Sequence, residues 1–184
     1  TKDETEEARL YRIAQAAVRE TDTCDALRKN VCVISDFLSA EQIAAYADEA
    51  QKSAEDVSEF LQLDFSGIIP VFLLRNTKAT NPTTRGMTYR HYRPQESIYI
   101  RKQIYVVIPS KYLDKSHKHV ALAHEMTHAI TLSSYDEGLR QYSWLLVEGL
   151  AVYMHNEFGD TREIVSKAQL ALHKIPRGLA VHGK

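Results

Sequence analysis

The sequence predicts an α+β fold, with helices at both ends of the chain and a small mixed β-sheet between them. Apolar residues recur at helical spacing through much of residues 4–61. The pattern then changes, because residues 68–108 contain runs rich in β-branched and aromatic residues. Apolar helix formers return at residues 119–132 and 144–151. This succession of helix, sheet and helix predicts the fold class.

The composition excludes several classes of protein. Hydrophobic residues make up 44% of the 184 residues and the formal net charge is −1, so we expect one soluble domain with a sizeable core. A chain of near-neutral charge offers no basic surface for nucleic acid or for anionic membranes. No apolar run approaches the roughly 20 residues of a membrane span.

The N-terminal region is predicted to contain three helices. The first spans Glu4–Glu20, and the second, with weaker periodicity, spans Cys24–Leu38. Ser39 and Gln42 form a capping box that starts a third, long helix. Its apolar residues form the narrow stripe of a helix packed against a neighbour: Ile43, Ala47, Ala50, Ala54, Val57 and Leu61.

The two cysteines, Cys24 and Cys32, lie eight residues apart. On one continuous helix their separation of roughly 12 Å would forbid a disulfide. A turn near Asp25 or Asn30 would allow one. The helical prediction for this segment favours two free, half-buried thiols.

Two further segments are predicted to form strands. Ile68–Leu74 and Ile98–Ile108 are both rich in β-branched and aromatic residues. Between them, residues 76–95 are rich in turn formers. Within that stretch Met87–Tyr92 alternates enough in polarity to be an edge strand.

The segment His119–Leu132 contains neither Gly nor Pro and is predicted to be a helix, with Ser116 as its N-cap. At about 100° per residue, His124 and His128 lie one turn apart on the same face, as two ligands of one metal ion must. Apolar residues cover most of the remaining helix surface, so the two imidazoles are expected in a buried setting where they need a partner. Zinc is a suitable partner, with nitrogen ligands at roughly 2.0–2.1 Å.

Glu125 follows the first histidine directly and cannot point in the same direction as both ligands. It is predicted to reach a metal-bound water, to accept its proton and to pass that proton to the leaving amine. The metal would polarise the carbonyl that the water attacks. This arrangement predicts metal-assisted hydrolysis with Glu125 as the general base.

A third metal ligand is predicted on the following helix. Glu148 comes twenty residues after His128, and the connection from Ser133 to about Leu139 suits a reversal that returns the second helix against the first. Two histidines and one glutamate make a catalytic zinc site when the fourth position is left open. The predicted ligands of Zn²⁺ are therefore His124, His128 and Glu148.

The motifs His124-Glu125-x-x-His128 and Glu148-Gly-Leu-Ala151, the second preceded by Trp144, resemble those of the gluzincin branch of the zincin metallopeptidases. Bacterial peptidase-MA-like domains are especially similar. The resemblance covers roughly residues 106–156. It implies a peptide or protein substrate, with His124, His128 and Glu148 as zinc ligands and Glu125 as the base. It also favours a secreted or periplasmic location, with the cytoplasm as the alternative.

The same resemblance implies a zincin-like arrangement of the whole chain. A helical segment, residues 1–38, would precede a catalytic domain, residues 39–184, in one compact unit. The long helix that starts after Ser39 would back the sheet, and the active-site helix would be followed by a glutamate helix. The edge strand would border the cleft, where a peptide can pair with it as an added strand. An ordinary sheet edge protected by its charges is the alternative.

Two parts of the gluzincin pattern are left unassigned. Val152 stands where the E-x-x-x-D members carry an Asp, so the E-x-x-A form applies, and Ala151 would let the two helices approach closely. Gly149 would serve the same end. The group that stabilises the oxyanion is open among four residues on the C-terminal side, where a last helix is predicted from Asp160 to about His173. The four are Tyr153, His155, His173 and His182.

Three functions are compatible with these motifs. The first is an active zinc peptidase, an endopeptidase in preference to an aminopeptidase. The second is a latent or catalytically inactive pseudo-peptidase that still binds metal. The third is a structural zinc-binding interaction domain, in which the two helices close around the ion.

Overall fold

A computed structural model describes residues 5–63, 65–78, 86–90, 104–113, 118–134 and 144–155. In these residues the chain is α+β, with four α-helices and a five-stranded mixed sheet. The helices are α1 (Glu6–Arg19), α2 (Ala40–Leu61), α3 (Lys118–Ser134) and α4 (Trp144–His155). The strands are β1 (Ala26–Leu27), β2 (Val31–Ser35), β3 (Ile69–Leu74), β4 (Met87–Arg90) and β5 (Ile104–Pro109).

The sheet has the strand order β1-β2-β3-β5-β4. Strands β2, β3 and β5 are parallel, and the short outer strands β1 and β4 pair antiparallel with β2 and β5. Every residue of β3 and β5 is buried. This burial on both faces explains why the two central segments read as unbroken apolar runs instead of an alternating pattern.

Helices cover both faces of the sheet. Leu10 and Ala14 of α1 join Phe72, Tyr105 and Val107 in a small core on one face. The alternate strand residues point the other way, into the larger core formed with α2 and α3. That larger core takes its strand residues from β2, β3 and β5: Val31, Val33, Ile69, Val71, Leu73, Ile104, Val106 and Ile108.

The prediction for α2 is confirmed in detail. The hydroxyl of Ser39 accepts a hydrogen bond from the Gln42 backbone N–H at 3.3 Å, and the Ser39 N–H donates to Gln42 Oε1 at 3.0 Å. The predicted stripe is buried from Ile43 to Val57, while Leu61 at the end is half-buried. This helix packs on both β2 and α3.

The predicted helix Cys24–Leu38 is wrong, because this segment forms the hairpin of β1 and β2. Polar contacts fasten the hairpin to α2. The backbone N–H of Asn30, in the turn, donates to Gln51 Oε1 at 2.8 Å, and Arg28 Nε donates to Asp48 Oδ1 at 2.6 Å. Val31 and Val33 are fully buried between sheet neighbours and α2, a setting that suits β-branched residues.

The preference for free thiols is also wrong, since Cys24 and Cys32 form a disulfide. The hairpin brings their Cα atoms to 5.3 Å, far closer than a helix would allow. The turn near Asn30 that would permit this bond is the one observed. Cys32 lies in β2 and is fully buried, so the disulfide ties the segment before β1 to the sheet.

The double variant Cys24→Ala/Cys32→Ala is expected to lose about 2–3 kcal/mol in the free energy of unfolding, because a cross-link that closes a short loop restricts the unfolded chain. Urea unfolding followed by circular dichroism measures this difference. Wild-type protein under a reducing agent serves as the control and is expected to match the variant. Equal stability of the oxidised wild type and the variant would contradict the prediction.

The remaining elements agree with the sequence wherever they are described. The strand predicted at Ile68–Leu74 is β3, the later part of Ile98–Ile108 is β5, and the edge strand predicted at Met87–Tyr92 is β4. Residues 98–103, Ser116 and the helix predicted from Asp160 lie outside the described residues. Among the described helices, none is both long and apolar enough to cross a membrane.

Candidate metal centre

Helix α3 places the two predicted histidine ligands side by side. Their Nε2 atoms are 3.0 Å apart, and the ring centroids are separated by 4.7 Å. The helix is almost surrounded by protein, since Ala121, Leu122, Met126 and Ile130 are all buried. The four-residue spacing therefore turns both imidazoles towards the same point while apolar neighbours hold the helix in place.

Helix α4 packs against α3 and brings Glu148 to the same point. Its Oε2 lies 3.2 Å from His124 Nε2, and its Oε1 lies 3.3 Å from His128 Nε2. Ala151, one turn further along α4, is completely buried, as the expected close approach of the helices requires. In the described residues Gly149 has no such role, because a Cβ at that position would meet none of their atoms within 4 Å beyond its own stretch of helix.

The three side chains form a donor set that suits a zinc ion. Their ligand atoms all lie within 4.8 Å of one another, and they are two imidazole nitrogens and a carboxylate oxygen. Neighbouring donors of a tetrahedral zinc site are about 3.3–3.5 Å apart, close to the observed separations. The side chains of His124 and His128 are 14% and 11% exposed and that of Glu148 is 31% exposed, so the two imidazoles are shielded and the carboxylate is partly exposed.

Glu125 lies outside this group of donor atoms and faces the edge strand β4. The residue as a whole is 7% exposed. The hydroxyl of Thr88 lies 2.7 Å from Glu125 Oε2 and 3.0 Å from the Glu125 backbone oxygen. A buried carboxylate next to a metal-binding pair, but not part of it, is in a suitable position for a proton acceptor.

Gly86 and Thr88 are site residues that the sequence prediction missed. A Cβ on Gly86 would come within 2.7 Å of Glu125 Cγ and of Ile108 Cδ1. Thr88 contacts Glu125 across 37 residues of sequence. The only local signal was the edge-strand pattern at Met87–Tyr92, which Gly86 directly precedes and in which Thr88 is the second residue.

Of the four candidates for the oxyanion-stabilising group, only Tyr153 has a described side chain, and its contacts do not assign it that role. Tyr153 is 45% exposed, and the centroid of its ring lies 5.7 Å from that of Phe60, in a tilted contact between α4 and α2. His155 ends α4, and its side chain lies outside the described part of the structure. His173 and His182 also lie outside the described residues.

Comparison of the whole chain with models of protein families, with curated proteins and with solved structures yields no match.

Proposed function

We propose that this chain is a zinc-dependent metallopeptidase of the gluzincin type. The observation that carries the proposal is the convergence of His124, His128 and Glu148 from two helices beside the buried carboxylate of Glu125. The spacing of these residues is that of the gluzincin motifs. A zincin-like fold is part of the proposal, supported by the order of a backing helix, a mixed sheet, and two packed helices that carry the motifs.

Zinc, when bound, would lower the pKa of a coordinated water and polarise the scissile carbonyl. His124, His128 and Glu148 would hold the ion and leave one side of it open. Glu125 would accept the proton of the attacking water on its carboxylate and deliver it to the departing amine nitrogen. Both transfers need a carboxylate that is held in one place, because proton transfer depends on hydrogen-bond geometry.

A peptide is the proposed substrate. Strand β4 stands at the edge of the described sheet and contacts the residue proposed as the base. A peptide in extended conformation that hydrogen bonds with the outer side of β4 would run past Glu125. An endopeptidase is preferred, since an edge strand can bind residues on both sides of a scissile bond.

The accessibility of the donor group supports a catalytic site over a structural one. Structural zinc sites are closed by four protein ligands, whereas catalytic sites keep a position open. In the described residues the metal-binding group has three members, and Glu148 is 31% exposed.

We also propose an oxidising compartment, either outside the cell or in a periplasm. The support for this is the disulfide between Cys24 and Cys32, because such bonds persist mainly where thiols are not kept reduced.

The proposed function is tested by metal analysis together with digestion of a mixed peptide library. We expect one zinc ion per chain and cleavage that a chelator abolishes and added zinc restores. One tightly bound zinc without cleavage would favour a latent or inactive pseudo-peptidase. A zinc ion with four protein ligands in a crystal structure would favour the structural domain. Absence of zinc binding would contradict all three functions.

A further inference from the structure

We infer that Thr88 is a positioning residue, which holds the carboxylate of Glu125 in the orientation needed for proton transfer. This inference rests on the proposed function, because it gives Glu125 the role of base. It concerns contacts between β4 and α3, which lie outside the group of metal-binding atoms.

The hydrogen bond from Thr88 is directed to one oxygen of Glu125. The threonine hydroxyl has a single proton and two acceptors within reach, Oε2 at 2.7 Å and the backbone oxygen at 3.0 Å. A bond to a charged carboxylate is shorter and stronger than a bond to a neutral carbonyl. Thr88 therefore donates its hydrogen bond mainly to Oε2, and this bond fixes the rotation of the carboxylate group.

Gly86 restricts the position of the stem of the same side chain, that is, the methylene groups of Glu125. A Cβ at this position would lie 2.7 Å from Glu125 Cγ and 3.1 Å from Oε1. The backbone of residue 86 therefore lies directly against Glu125, and glycine is favoured there because a Cβ would clash with the glutamate side chain. Gly86, directly before β4, restricts the stem through this contact, and Thr88 in β4 holds the carboxylate, so Glu125 is held at both ends.

Such support matters for rate because a reacting group that is misplaced by about 1 Å can cost roughly 100-fold in turnover. Without the hydroxyl of Thr88, the carboxylate can rotate about its terminal bond, which has a broad, low barrier. We expect this loss to lower kcat and to leave binding of substrate and zinc unchanged. In the described contacts the side chain of Thr88 reaches Glu125 and not the donor atoms, and a peptide would pair with the backbone of β4, which the substitution retains. A purely structural tie between β4 and α3 would act on stability instead.

Three variants separate these roles. Thr88→Val keeps the shape of the side chain and removes the hydroxyl, whereas Thr88→Ser keeps the hydroxyl and removes a methyl group. Thr127→Val is the matched control, since the buried hydroxyl of Thr127 donates only to the Ala123 backbone oxygen at 3.0 Å in the described contacts. The assays are kcat and KM on a cleaved peptide, zinc affinity, thermal unfolding, and a high-resolution crystal structure of each variant.

We expect Thr88→Val to lower kcat by about 10- to 100-fold, with KM, zinc affinity and thermal stability close to those of the wild type. Thr88→Ser is expected to retain most of kcat, and Thr127→Val to leave it unchanged. In the crystal structures the carboxylate of Glu125 should be displaced in Thr88→Val and remain in place in Thr88→Ser.

The inference is overturned if Glu125 keeps its position in Thr88→Val, or if this variant turns over as fast as the wild type. It is also overturned if both Thr88 variants lose stability and zinc affinity together. Failure of the proposed function has a different signature: the wild type cleaves no peptide, or cleavage continues when Glu125 is replaced by Gln. The crystal structures then still decide whether Thr88 orients the side chain.

Discussion

Glu125→Gln is expected to lower peptide hydrolysis by about 10²- to 10⁴-fold, the range that general acid–base catalysis contributes. Glutamine has nearly the same shape as glutamate, and its amide oxygen can still accept the hydrogen bond from Thr88. It cannot accept a proton from water. Because Glu125 lies outside the group of donor atoms, zinc affinity should be retained. The expected result is a folded, zinc-loaded and nearly inactive protein.

The measurement compares kcat/KM on a cleaved peptide with the zinc content of the same sample. Glu59→Gln is a matched control, since it makes the same chemical change at an exposed position near the end of α2. It should leave both quantities unchanged. If Glu125→Gln remained as active as the wild type while holding zinc, the role of Glu125 as base would be refuted, and the donor group would need another partner for the chemistry.

The sequence was sufficient to predict the elements whose pattern is long. Helix α2 repeats its apolar spacing from Ile43 to Val57, and its first turn carries a capping box, so local and tertiary signals agree. For β1 and β2 the local pattern did not agree with the tertiary structure. The apolar run Val31–Ile34 is too short for periodicity to distinguish a strand from a buried helix. Its pairing with β3, in which Val33 lies opposite Val71, decided the outcome.

The candidate site likewise has one part that the sequence predicts and one part that it does not. The neighbouring positions of His124 and His128 follow from helix geometry alone, and a reversal after α3 was enough to expect Glu148 beside them. The contacts of Glu125 with Gly86 and Thr88 could not be predicted from local pattern. They depend on how closely β4 and the residue before it approach α3, where Gly86 lies against both Glu125 and Ile108.

Glu148→Ala is expected to weaken zinc binding by more than about 100-fold, because even the loss of a group that only supports a metal ligand costs 10- to 100-fold. The two histidines would remain, but a pair of nitrogens 3.0 Å apart offers only half of a tetrahedral site. Glu148 is 31% exposed, so its removal opens no cavity in the core and the metal-free protein should remain folded. Titration against a competing zinc chelator measures the affinity.

Gly149→Ala provides the control at the next position of the same helix. A Cβ there meets no atom within 4 Å among the residues that the structure describes, and alanine in a helix interior is favoured over glycine by about 1 kcal/mol. This variant should bind zinc like the wild type and unfold at a slightly higher temperature. Zinc should raise the unfolding temperature of the wild type and of Gly149→Ala, but not of Glu148→Ala, because a ligand stabilises only the state that binds it. Unchanged zinc affinity in Glu148→Ala would mean that α4 supplies no ligand, and the two-helix metal site would then be wrong even if both histidines bind the ion.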